Sequence, residues 1–163
     1  MEYLPKTIKD YLTFLRQVLS GKGKSKVAYK LTELQERGQD KWGSGAYLAS
    51  RGGRDHNGVD LAVQPETEIK ATFAGTVTKL GFPYGDDLNY RYVQISKDGY
   101  DYRIFYVHPI VNIGDEVTED TIIGTSQNLN KRYEGITEHV HLEVKKDGEF
   151  VNPCLTLKET KRN

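Results

Sequence analysis

From Trp42 almost to the C-terminus the chain is divided into short runs of β-type residues, and this constrains the fold more than any other feature. The runs "GVDLAV", "EIKATFAGTVTKLG", "YRYVQISKDG", "YRIFYVHPI", "TIIGTS" and "HVHLEV" are separated by Gly, Asp and Asn. Such punctuation favours strands joined by tight turns. Asp98-Gly99 and Asp147-Gly148 read as hairpin turns, the second joining "HLEVKK" to "EFVNP". Eleven tyrosines suit the same texture. The expected architecture is therefore mainly β, an antiparallel sheet assembly, and 163 residues are about one domain's worth of chain.

The first 41 residues differ. Ile8, Tyr11, Leu12, Leu15, Val18 and Leu19 recur at helical spacing, which predicts an amphipathic helix over 8–19. "SGKGKSK", Ser20 to Lys26, reads as a flexible basic linker, and Val27 to Arg37 as a second short helix stopped by Gly38. The domain plan is a helical N-terminal extension over 1–41 and a β-domain over 42–163. The apolar stripe of the first helix can pack on that domain or dock a partner.

Charge and cysteine usage exclude several classes. Lys+Arg and Asp+Glu are both 23, so no global field draws in nucleic acid or an anionic membrane. The single cysteine, Cys154, excludes an internal disulfide and a Cys-based metal site, and reads as a small buried hydrophobe near the C-terminus. The N-terminal residues lack a signal-type apolar core, and no apolar run is long enough to span a bilayer. The expectation is a chain made in a cytoplasm without a signal peptide.

Chemistry concentrates in the four histidines. In "EGITEHVHLEV" the alternation puts His139, His141 and Glu143 on one strand face, with Val140, Leu142 and Val144 behind. Upstream, "RDHNGVDLAV" supplies His56 and Asp60, which can face one point if His56 ends a loop and Asp60 begins a strand. Two neutral imidazoles and one carboxylate are a common ligand set for catalytic zinc, which keeps a fourth position for water. Once three ligands are assigned, one histidine of the HxH pair and His108, in "IFYVHPIVNIGDEV", remain for proton transfer.

In that order, HxxxD, Tyr-x-His and HxH, the sequence resembles the lysostaphin-like, LytM-type zinc metalloendopeptidases that cut peptide cross-links in bacterial peptidoglycan. The resemblance runs from about Gly43 to Pro153 and includes "HNGVDLAV", "ATFAGTVTKLG", "IGDEVTEDTIIGTS" and "HVHLEV". It implies one zinc ion held by His56, Asp60 and His141, with His108 and His139 as the catalytic pair. Glu143 can orient a ligand imidazole from behind or stay a solvated strand glutamate. Tyr47 is a candidate hydrogen-bond donor to an oxyanion. The loop residues Arg51, Arg54, Tyr84, Asp86, Asp87, Asn89 and Tyr133 are candidates to line a peptide groove.

The chain also departs from the bacterial pattern. Thr137 and Glu138 stand where a Gly-Pro step commonly precedes HxH, which bears on the groove's shape. Along "GAYLASRGGRDHNGVD", "RIFYVHPI" and "YEGITEHVHLE" it is similar to the branch containing leukocyte-derived chemotaxin, which implies an alternative: a non-catalytic zinc-binding interaction module. Retention of both His108 and His139 favours chemistry over binding alone. An enzyme of the wall made without an export signal needs delivery, so a phage lysin, a virion component or the cargo of an injection machine is expected, with the N-terminal helices as a docking element for a tail or injection-machine protein.

Overall fold

The computed structural model describes residues 27–163. The predicted helix over 8–19 and the linker Ser20 to Lys26 lie outside these residues. The β-type runs become twelve short strands: β1 (Gln39–Asp40), β2 (Gly43–Ser44), β3 (Gly58–Ala62), β4 (Glu68–Lys70), β5 (Gly75–Gly81), β6 (Tyr92–Lys97), β7 (Tyr100–Phe105), β8 (Val107–Pro109), β9 (Glu116–Val117), β10 (Ile122–Ser126), β11 (His139–Lys146) and β12 (Glu149–Val151). Helix α1 (Pro153–Arg162) follows.

Among the described residues these strands all pair antiparallel. The main sheet runs β12-β11-β7-β6-β5-β9, and β3 also pairs with β11. β3 takes residues 139–143 of β11 and β12 takes 144–146, so these two strands divide one edge of β11 while β7 occupies the other. A smaller sheet runs β4-β10-β8. Both expected hairpins are present, with left-handed turn residues Asp98 (φ 51) and Gly99 (φ 80), and Asp147 (φ 49) and Gly148 (φ 86). That backbone twist matches the strands it joins.

Between the sheets lies one apolar core. Val59 and Leu61 of β3, Val93 and Ile95 of β6, Ile104 of β7, Ile123 of β10 and Val140, Leu142 and Val144 of β11 belong to it. Burial of that apolar area is the dominant favourable contribution to folding. The period-two register then decides the rest of β3 and β11: with one face committed to the core, Asp60, His139, His141 and Glu143 share the other.

Two elements correct the sequence reading. Val27 to Arg37 forms no α-helix; it holds one 3-10 turn, Leu31–Glu33, flanked by extended residues Lys30 (ψ 151) and Leu34 (ψ 151). Its backbone is used by neighbouring strands instead. Tyr29 N–H donates to the Glu68 carbonyl, Ala62 N–H to the Gln35 carbonyl, and Arg37 N–H to the Asp60 carbonyl. Leu31 is fully buried in the same core. Helix α1 is an addition to the β-type reading of the C-terminus: Asn152 caps its N-terminus by accepting the Cys154 N–H at 3.0 Å, Pro153 occupies the first turn, and Lys161 and Arg162 lie in the last. Among the described residues no helix is long and apolar enough to cross a membrane.

Candidate metal centre

The register of two strands builds the site. Asp60 of β3 lies directly opposite His141 of β11, and the loop entering β3 brings His56 above them. His141 Nδ1 is 2.8 Å from Asp60 Oδ1, His56 Nε2 is 3.1 Å from His141 Nδ1, and His56 Nε2 is 3.3 Å from Asp60 Oδ1. Zinc bonds of about 2.0–2.1 Å in tetrahedral geometry separate ligand atoms by about 3.3 Å. The three donor atoms thus have nearly the spacing of one ion's coordination shell. Among the described residues these are the three side chains grouped to hold a metal.

The opposite ring nitrogens explain why these three atoms face inward. His56 Nδ1 lies 2.9 Å from the Ala46 carbonyl, an acceptor, so Nδ1 carries the proton and Nε2 keeps its lone pair. His141 Nε2 lies 3.2 Å from Glu143 Oε1, which likewise leaves Nδ1 available to an ion. His139 Nδ1 donates to the Thr137 carbonyl at 2.7 Å, and its Nε2 sits 3.6 Å from Asp60 Oδ2. These contacts orient three rings without a covalent constraint.

The metal-free electrostatics follow from this packing. Burial alone would raise the Asp60 carboxyl, but hydrogen bonds from His141 and His56 and the charges of His139 and His141 outweigh it and hold the group below the usual carboxylate range. Burial alone would lower His141, yet Asp60 and Glu143 lift it to about 9. His139 is lowered because burial outweighs the pull of Asp60. Metal-free protein at neutral pH therefore holds a proton on His141 in a space suited to a cation.

A cavity of about 410 Å³ opens over these groups, also lined by Arg51, Arg54, Tyr84, Tyr106 and Tyr133. Its far wall is aromatic. Tyr84 hydroxyl contacts the Tyr106 hydroxyl at 2.8 Å and accepts from the Tyr133 hydroxyl at 3.0 Å, and the Tyr106 ring stands edge-on to His139 with centroids 5.6 Å apart. Burial is the first cause that pushes the Tyr106 phenol up to about 12, so it stays a neutral donor near neutral pH. Trp42 packs edge-on against Tyr133 at 5.3 Å and donates from Nε1 to the Glu134 carbonyl at 2.9 Å.

Several expected residues are not brought here. His108 is exposed on β8 and lines a separate depression with Glu66, Gln127 and Lys131, so the fold does not set it beside His139 in this cavity. The reason is a bulge: both Tyr106 and Val107 N–H groups reach the Arg91 carbonyl, Tyr106 adopts φ 65, and the chain leaves β7 to pair with β10. Tyr106 takes the inward place. Tyr47, Asp86, Asp87 and Asn89 do not line the cavity. Glu138 instead holds the loop carrying Tyr133, accepting N–H groups of Leu129 at 2.8 Å and Asn130 at 3.1 Å. Sequence reading assigned no role to Arg37, Trp42 and Tyr106; the signals were the tyrosine of the Tyr-x-His motif and an Arg-x-x-Asp spacing beside a lone tryptophan.

Known proteins share this sequence pattern and fold. Mouse (Mus musculus) leukocyte cell-derived chemotaxin-2 is 32% identical over 142 residues, covering 86% of this chain and 92% of that protein. The catalytic domain of the prophage-encoded M23 protein EnpA from Enterococcus faecalis superposes with a TM-score of 0.52 at 25% identity, covering 68% of this chain and 87% of that one. Lysostaphin from Staphylococcus simulans shares the fold, with a TM-score of 0.60 at 21% identity over 80% of this chain and 52% of its own. The family model of peptidase family M23 matches residues 54–153, a segment that contains every proposed ligand, and the chain accordingly belongs to that metallopeptidase family.

Proposed function

We propose that this chain is a zinc-dependent endopeptidase that hydrolyses peptide cross-links of bacterial peptidoglycan. The observation that carries the reading is the spacing of His56 Nε2, Asp60 Oδ1 and His141 Nδ1, 2.8–3.3 Å apart, beside His139, whose Nε2 faces Asp60 Oδ2 at 3.6 Å. Zinc held by these ligands would supply Lewis-acid activation of water and of the scissile carbonyl. His139 keeps its Nδ1 proton on Thr137, so Nε2 is the atom that takes up and returns a proton at the cut bond. Tyr106 packs against that ring and holds it upright in the cavity. The aromatic wall opposite excludes water from one side of a bound peptide.

A phage-type delivery route is part of the proposal, supported by similarity to a prophage-encoded enzyme. The place of action is then the bacterial wall, and the segment over 8–19 is the candidate contact to a tail or injection-machine protein. A second reading has its own support: the chain spans nearly all of mouse chemotaxin-2, and His108 stands away from the cavity. It makes the chain a zinc-binding interaction module.

Mass spectrometry of cross-linked peptidoglycan separates the two. Zinc-loaded protein is expected to generate new peptide termini that disappear with chelator. Walls of both direct and glycine-bridged type left intact by protein that retains zinc would establish the binding module instead.

A further inference from the structure

Arg37 lies before the segment matched to the family, yet its side chain is only 2% exposed and it faces the metal centre. A guanidinium does not shed its proton, so it is buried only with carboxylates to pair with. Two are present. Its Nε donates to Asp60 Oδ2 at 3.1 Å and its Nη1 donates to Asp40 Oδ2. The two oxygens of Asp60 are thereby divided: Oδ2 is taken by Arg37, while Oδ1 faces His56 and His141.

The other arm of the fork reaches His139. Asp40 Oδ2 also accepts the Thr137 N–H at 2.9 Å, and the Thr137 carbonyl accepts from His139 Nδ1. One planar group therefore touches the ligand carboxylate directly and the proton-transfer imidazole through two intermediates. The backbone is shaped for this approach: a Cβ on Gly45 would lie 2.9 Å from Asp60 Cβ and 3.0 Å from Arg37 Cβ. A side chain there would push the pair apart.

We infer that Arg37, with Asp40, is a positioning residue of the metal centre, which makes Asp60 a one-oxygen ligand and fixes the ring of His139. The segment before the family match thus completes the site. This inference rests on the metal-centre reading but not on the substrate assigned to it.

Cobalt(II) alone, added to the full chain, tests it through two readouts: affinity by competition with a chromophoric chelator, and the visible spectrum of the bound ion. Arg37→Ala is expected to weaken cobalt binding about 10–100-fold and to alter the spectrum, because Asp60 is released to turn or to ligate through both oxygens. Arg37→Lys keeps the charge but not the fork, and is expected to fall between. A folded R37A, matched to wild type by circular dichroism, that binds cobalt equally or more tightly with an unchanged spectrum overturns the inference; the guanidinium would then be mere packing or a competitor for Asp60. If R37A does not fold, R37K decides by the same criteria. Wild-type protein that takes up no cobalt overturns this inference and the metal-centre reading together. Cobalt-loaded wild type that leaves peptidoglycan whole counts against the endopeptidase reading alone.

Discussion

Four histidines of one chemical type end in different environments, and the difference lies in what holds each ring. His56 and His141 each direct one nitrogen to an acceptor and the other to Asp60. His139 is 5% exposed and aims Nε2 at the same carboxylate, while His108 is exposed on another face. This division gives a sharp expectation. His139→Ala should lower the rate of cross-link cleavage by about 10²–10⁴-fold, the range of a lost proton-transfer group, while retaining the ion. His108→Ala should leave cleavage and metal content near wild type. Initial rates on purified peptidoglycan, with metal content measured in parallel, check both; equal losses for the two variants would return His108 to the chemistry.

At the scale of elements, what sequence made legible was whatever a local rule governs. Alternation in "HVHLEV" put Val140, Leu142 and Val144 in the core and the histidines opposite, and Asp-Gly pairs marked two hairpins. Pairing across sheets was not legible. The bulge at Tyr106 and the switch from β7 to β10 leave no local trace, so "YRIFYVHPI" reads as one continuous β-type run. Likewise Val27 to Arg37 has helical composition but donates its backbone to β3 and β4, a tertiary override of propensity. The hairpin after β11 can be tested alone. Gly148 has φ 86 and open space around a would-be Cβ, so Gly148→Ala should cost about 1–2 kcal/mol through backbone conformation without a clash. Urea melts should show a lower midpoint with an unchanged slope; a larger loss would mean that β12 and α1 dock through this turn.

For the whole molecule, folding, proton binding and metal binding are linked through His141. In the metal-free chain its pKa stands near 9, above the ordinary value of 6.5, because Asp60 and Glu143 hold the protonated ring. The sign follows: that contribution to stability is fully present below about pH 6.5 and is lost as pH rises through 9. An ion at Nδ1 requires the neutral ring, so each bound ion displaces this proton. Apparent metal affinity should therefore rise about tenfold per pH unit up to about pH 9 and then flatten, a gain of about 1.4 kcal/mol per unit. Metal stabilises the native state by an amount set by free metal over its dissociation constant, so the gap between loaded and chelated melting curves should widen by the same rule. Thermal melts at pH 6, 7, 8 and 9 under buffered free zinc measure that gap. A gap independent of pH would mean that the ion does not displace a proton from His141, and that this ring is not among its ligands.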